Sequence, residues 1–225
     1  MNVLITGGAS GLGQAVARRV ADDGGRPLVV DRQPAGGGVD HIEADLTDRE
    51  AAEKAVRILA EQAGGLDAVV TAAGIDACGR LEDVPADDWE RVVEVNLLGT
   101  VRIVRAALPY LRRSANPRIV TCASTLGLRA LSDASAYCAS KFGVVGFTRA
   151  LTIELAGEVG VTMLVPGGMA TAFFDGRTEQ YKPGPDAQLN PPENVAAAVA
   201  FALSQPPGCE VRELIVTPSA EPSWP

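Results

Sequence analysis

Met1-Asn-Val-Leu-Ile-Thr6-Gly7-Gly-Ala-Ser10-Gly11-Leu12-Gly13 opens the chain and decides how the rest is read. The apolar run before Thr6 predicts a short buried strand. The glycines then predict a tight turn, and the alanine-rich stretch after Gly13 predicts a helix. Each glycine has a physical use: Gly7 permits the turn, Gly11 lets a pyrophosphate approach the backbone, and Gly13 lets the helix pack close to the strand. The helix N-terminus, with Ser10 and Leu12 in the turn, offers free N–H groups and partial positive charge to a phosphate. Taken alone the glycines could form an ordinary turn, but a strand before and a helix after point to a phosphate cradle.

A second strand, Pro27-Leu28-Val29-Val30-Asp31, ends in an acid eighteen residues after Gly13, where an adenine-ribose 2′-hydroxyl needs an acceptor. A carboxylate there repels a 2′-phosphate, so Asp31 favours NAD. Arg32 beside it can grip a phosphate and keeps NADP open, while Ser10 in the turn carries no charge. Further along, Tyr137 and Lys141 stand four residues apart in Ala-Tyr137-Cys-Ala-Ser-Lys141 and share one helix face. A phenol loses its proton only near pH ~10, and a cation one turn away is expected to lower that value, making Tyr137 a candidate proton donor and acceptor.

Apolar strand-like runs alternate with helical patterns, as in βαβ units with a parallel sheet covered on both faces. Strands are predicted near Val3 to Thr6, Leu28 to Asp31, Ile42 to Ala44, Ala68 to Ala72, Arg118 to Ala123, Thr162 to Val165 and Leu214 to Val216. The fold class is therefore α/β, a Rossmann-type doubly wound sheet of about seven strands in a single domain spanning residues 1–225, with the cofactor across the strands' carboxyl ends.

With these motifs in order, the chain resembles a classical short-chain dehydrogenase/reductase over nearly its whole length. The glycine turn resembles the family's cofactor turn, Asp45-Leu46 its adenine contact, and Thr71-Ala72-Ala73-Gly74 its Asn-Ala-Ala-Gly strand end. Asn96 matches its helix asparagine, Ser124 stands thirteen residues before Tyr137, and Pro166-Gly167-Gly-Met169-Ala-Thr171 resembles the turn that closes over the nicotinamide. The resemblance implies that Tyr137 exchanges a proton with the substrate oxygen and that Lys141 lowers its pKa and holds the nicotinamide ribose. It also implies that Ser124 hydrogen-bonds the substrate oxygen and that Asn96 holds a water linking Lys141 to solvent. Two departures stand out. Thr71 replaces the family's Asn, which bears on local stability more than on chemistry. After the last strand, Ser-Ala-Glu-Pro-Ser-Trp-Pro replaces the family's usual Asp-Gly-Gly-like ending.

Composition narrows the function classes. A net charge of −8 works against nucleic acid and anionic membranes. No apolar run reaches membrane-spanning length, and Met1 leads directly into the first strand without a leader, so a cytoplasmic location is expected. One histidine, His41, and four scattered cysteines support neither a metal site nor Ser-His-Asp hydrolysis. Cys78, Cys122, Cys138 and Cys209 are expected to be small buried hydrophobes.

Residues 172–192 lack any regular period and carry Phe173, Phe174 and Tyr181; a loop of this length is expected to cover the substrate. Its aromatics can line an apolar substrate site or anchor the loop to the body. Two long helices, Asp87 to Arg112 and Ser135 to Ala156, carry enough apolar residues for a second buried face. That face is either a homodimer or homotetramer interface or part of the monomer core. The reading is an NAD-dependent, NADP-tolerant oxidoreductase interconverting a secondary alcohol and a ketone. The alternatives are a cofactor-binding regulatory or scaffold protein without turnover, and an isomerase or epimerase using bound NAD transiently.

Overall fold

Side chains alternate across a strand, and in this chain both alternating sets are apolar, so the strands can only lie between two layers of helix. In the first strand, β1 (Asn2–Thr6), Leu4 joins Leu28, Val30, Val69, Ile119 and Val161 in one core, whereas Val3 and Ile5 join Val29, Val70, Val120 and Leu164 in the other. The computed structural model describes residues 1–221; the end of the tail, residues 222–225, lies outside the described residues.

The other strands are β2 (Arg26–Asp31), β3 (Asp40–Glu43), β4 (Ala68–Thr71), β5 (Arg118–Cys122), β6 (Gly160–Pro166) and β7 (Glu213–Val216). All pair in parallel, in the order β3-β2-β1-β4-β5-β6-β7, with Ile5 opposite both Val29 and Val70. These are the seven strands the sequence predicts, with ends shifted by one or two residues. The chain leaves β1 for β2 on one side and returns to β4 on the other, opening a crevice at the carboxyl ends between them.

Helices α1 (Gly11–Asp22) and α6 (Pro192–Leu203) cover one face through Val16, Val20, Val195 and Val199. On the other face lie α2 (Arg49–Ala63), α4 (Thr100–Leu111) and the end of α5 (Ser135–Glu154). Asp48 caps α2 by accepting from the Ala51 N–H, and Gly64 ends it in the left-handed conformation.

The continuous helix expected over 87–112 is interrupted. It consists of α3 (Ala86–Val93), a π-helical turn Glu94–Gly99, and α4. The wide turn carries Asn96, and Gly99 lets it approach Leu46, whose Cβ would lie 2.9 Å from a side chain added there. Widened turns of this kind cluster at functional sites. The cysteines also depart from expectation. Cys122 and Cys138 are buried, but Cys209 is exposed and Cys78 is half-buried with a polar partner. Among the described residues, no helix is long and apolar enough to cross a membrane.

Candidate active site

One cavity of about 870 Å³ runs along the carboxyl ends of the strands, from Asp31 and Arg32 at one end to Tyr137 and Phe173 at the other. Every candidate residue named from the sequence lines it except Asn96, which is 1% exposed and lies behind the wall.

The glycine turn is shaped by close approach. Gly7 has φ +73°, and a Cβ on it would lie 2.8 Å from Ala73. A Cβ on Gly13 would lie 2.2 Å from the Gly7 carbonyl oxygen, so α1 begins in backbone contact with the turn. Thr6 Oγ1 accepts from the Ala73 N–H at 3.2 Å, tying the ends of β1 and β4 together beside Ala72 and Gly74. Ser10, the N-cap of α1, makes no side-chain capping bond. The first N–H groups of α1, at Leu12 and Gly13, therefore have no intrahelical partner and line the cavity. The donor set suits a pyrophosphate.

Asp31 ends β2 with its carboxylate held by two backbone N–H groups, Ala9 at 3.0 Å and Gln33 at 2.9 Å. Each oxygen keeps a lone pair for a further donor. Arg32 reaches towards Asp45, Nη1 to Oδ2 4.0 Å, and is half exposed. Asp45 accepts from the Thr47 N–H and hydroxyl, both at 2.9 Å, and from Arg91 at 2.7 Å. Burial raises its pKa, but these bonds outweigh it and leave the carboxyl below the ordinary range.

At the other end, α5 presents Tyr137 and Lys141 on one face, with Lys141 Nζ 5.5 Å from the Tyr137 ring centre. Lys141 is 4% exposed and donates to the Cys122 carbonyl at 2.9 Å, which pins it under the end of β5. Desolvation lowers its pKa. Ser124, just beyond β5, accepts from the Leu126 N–H at 3.1 Å. The electrostatics of Tyr137 add burial to the neighbouring cation. Desolvation pushes its pKa above the ordinary phenol value, and the hydrogen bond from Ser124 and the charge of Arg177 act in the opposite direction. The phenol is therefore protonated at neutral pH.

Asn96 acts as a clasp. Its Oδ1 accepts from the Ile75 N–H at 2.8 Å, and its Nδ2 donates to the Ile75 carbonyl at 2.9 Å and to Ser140 Oγ at 3.0 Å. It locks the segment after β4 to α5 one residue before Lys141. Thr71, at the family's Asn position, is buried with its Oγ1 unpartnered.

Beyond β6, which ends at Pro166, Gly167 donates to the Val216 carbonyl at 3.0 Å, Met169 forms a bridge with Asn190, and Thr171 faces Gly11 across the cavity. The segment 172–192 holds only two short 3₁₀ turns, Ala172–Phe174 and Glu179–Tyr181. Phe173 lies on the Tyr137 ring, 5.6 Å between centroids, and edge-on to Phe174. These rings line the cavity and also hold the loop against the body of the protein.

Sequence reasoning missed four residues here. Asp76, whose side chain is 5% exposed, accepts from Arg177 Nη2 at 2.6 Å and from the Cys78 thiol at 3.2 Å. Burial, then Asp76, pushes the Cys78 pKa up to about 12, so it stays a thiol. Arg177 also stacks on Phe173 and Phe174, 5.2 and 4.6 Å from their centres. Glu221 in the tail accepts from the Gly168 N–H at 2.9 Å and lines the same cavity. Their only signal was an acid two residues after Gly74 and one arginine inside an aperiodic loop.

Known proteins resemble this chain in sequence and fold. The family model for short chain dehydrogenases matches residues 1–182. An uncharacterized oxidoreductase of Staphylococcus aureus (strain MW2) is 30% identical over 96% of each chain. The aldohexose dehydrogenase of Thermoplasma acidophilum superposes with a TM-score of 0.87 at 27% identity, over 96% of this chain and 92% of that one. A short chain dehydrogenase of Burkholderia cenocepacia J2315, solved in complex with NADP, superposes with a TM-score of 0.84 at 30% identity, over 96% of this chain and 95% of that one. The glycine turn, the seven-stranded parallel sheet and these relatives lead to one conclusion: the chain belongs to the short chain dehydrogenase family.

Proposed function

We propose that this oxidoreductase interconverts a secondary alcohol and a ketone with NAD, using Tyr137 as proton donor and acceptor. The observation that carries the reading is convergence: Tyr137, Lys141 and Ser124 line the same cavity as the glycine turn and Asp31. The turn and the first N–H groups of α1 hold the pyrophosphate, and Asp31 accepts from the adenine ribose. Asp45, Leu46, Ala72, Ala73 and Gly74 would wall the adenine side of a bound dinucleotide, and Pro166, Gly167, Met169 and Thr171 would border its nicotinamide. The bound nicotinamide supplies or accepts the hydride.

In the reducing direction Tyr137 gives its proton to the carbonyl oxygen while Ser124 hydrogen-bonds that same oxygen. Lys141, held by the Cys122 carbonyl, places a cation beside the phenol and the ribose. Asn96 fixes Ile75 and Ser140 and so keeps Lys141 in place; the water expected on Asn96 remains part of this reading. A binder without turnover would not need a proton relay, and Ser124, Tyr137 and Lys141 together at one end of the cavity count against that reading. Exposed Phe142 and Ile153, on one face of α5, support assembly into a homodimer or homotetramer.

NADP is the second reading of the cofactor. The Burkholderia cenocepacia relative is in complex with NADP, and Arg32, half exposed beside Asp31, could take a 2′-phosphate.

The test is a panel of ketones and alcohols with both cofactors, following the absorbance of the reduced nicotinamide, alongside calorimetric titration. NADH is expected to bind more tightly than NADPH. Because burial raises the Tyr137 pKa, ketone reduction should stay level through neutral pH, while alcohol oxidation, which needs the phenolate, should climb as pH rises. Equal or tighter NADPH binding would move the assignment to Arg32.

A further inference from the structure

The loop 172–192 has almost no regular backbone structure, yet its aromatic start lies against the proposed proton donor. Its base is closed by backbone bonds, Asn190 N–H to the Gly168 carbonyl at 2.9 Å and Ala170 N–H to the Asn190 carbonyl at 2.8 Å. Those bonds fix where the loop begins and ends, but not where residues 172–182 lie. Three side-chain contacts do that. Arg177 pairs with Asp76, the Arg177 guanidinium stacks on Phe173 and Phe174, and the Tyr181 hydroxyl donates to Asp133 at 3.3 Å.

We propose that Asp76 and Arg177 are positioning residues of the active site: their ion pair holds the loop down so that Phe173 packs on the ring of Tyr137, which closes the substrate end of the cavity. The pairing partners sit on rigid ground. Asp76 follows Ile75, clasped by Asn96, and Asp76 Oδ1 accepts from the Ala77 N–H at 2.7 Å. Gly79, three residues on, donates to the Asp133 carbonyl at 2.8 Å, so both loop anchors belong to one frame at the start of α5. The pair is largely buried, the Arg177 side chain being 19% exposed, where a charge-assisted bond is strong and an orphaned partner is costly. Arg177 Nη1 also donates to the Tyr181 carbonyl at 3.2 Å, so one guanidinium joins both 3₁₀ turns of the loop. A chain of contacts thus runs from Asp76 through Arg177 and Phe173 to Tyr137. Neither member of the pair touches substrate in this account; their positioning role runs through Phe173, beside the direct effect of the Arg177 charge on Tyr137.

The role in catalysis rests on Tyr137 being the proton donor, so the test has one arm that needs no turnover. Hydrogen-exchange mass spectrometry on the full chain compares wild type with Asp76→Asn, Arg177→Gln and the double variant. Each single change should speed exchange across 172–192 by roughly tenfold or more while the strands stay protected. The double variant should resemble the singles, because the second change removes a partner already lost. In the kinetic arm, on any substrate the panel finds, KM should rise by a similar factor while dinucleotide affinity stays within about twofold, a split that general destabilisation does not produce. Arg177→Gln leaves Asp76 and its backbone contact in place, and the double variant leaves no charge of the pair unpaired, so either remains informative if Asp76→Asn folds poorly. Unchanged exchange over 172–192 in Arg177→Gln, or strictly additive effects in the double variant, would overturn the proposal. If no substrate is found, the exchange arm alone decides it.

Discussion

At one end of the cavity Gly13 and Gly7 meet backbone to backbone; at the other, Phe173 packs on Tyr137 with Arg177 and the Phe174 ring against it. The glycine-turn end is made of main chain, and its geometry follows from steric exclusion around a few glycines and from strand pairing at Thr6 and Ala73. The loop end is made of side chains from segments a hundred residues apart in sequence, such as Asp76 and Arg177. A main-chain site tolerates no added atom but needs no particular partner. A side-chain site tolerates changes of size but fails when one partner is lost.

Gly13→Ala gives that contrast its hardest test. The new Cβ would overlap the Gly7 carbonyl oxygen, so the turn must move. Overpacking of this kind costs about 1–3 kcal/mol, and dinucleotide binding should fall by a hundredfold or more, roughly what is expected when a phosphate cradle is displaced. Calorimetric titration and urea unfolding check both. Near-normal affinity would mean the cradle is less tightly determined than the 2.2 Å approach implies.

Lys141→Met separates function from stability at the centre of the cavity. It should weaken dinucleotide binding and turnover, yet leave the fold as stable as before or more stable by about 1 kcal/mol, since it removes a buried ammonium held by a single carbonyl. The pH dependence has a definite sign. Burial lowers the Lys141 pKa in the folded state, so the unfolded chain binds the proton more tightly. Its cost is full below the folded pKa and vanishes as pH rises through the unfolded value of 10.5. The stability gap between variant and wild type should therefore close in strongly alkaline buffer.

Thr71→Val is the smallest expected effect. It removes a buried hydroxyl without a partner while keeping the shape, and should raise stability by up to about 1 kcal/mol without altering activity. Thermal unfolding measures it. A loss of stability would mean the hydroxyl serves the contact that the family's Asn makes elsewhere.

These differences also explain what could be read from the sequence. The glycine turn, Asp31 and the Tyr137–Lys141 pair were legible because local spacing alone places them: a strand end, a helix start and one helical turn. The seven strands were legible for the same reason, as apolar runs between turns. The π turn at Glu94–Gly99 was not, because widening a helix by one residue leaves its apolar content unchanged. The ordering of residues 172–182 was not, because an ion pair between positions 76 and 177 has no periodic signature. The burial that raises the Tyr137 pKa was not legible either, because spacing reveals a neighbouring cation but not desolvation.

The central claim is that Tyr137 moves the proton, and Tyr137→Phe tests it most directly. Phenylalanine keeps the ring that packs on Phe173, so stability and dinucleotide affinity should be unchanged. Turnover on a panel-identified substrate should fall by ~10²–10⁴-fold, the usual worth of general acid–base catalysis. Steady-state kinetics of this one variant, beside an NADH titration, would return that split between binding and turnover if the account holds. Turnover near that of the wild type, with binding intact, would contradict it.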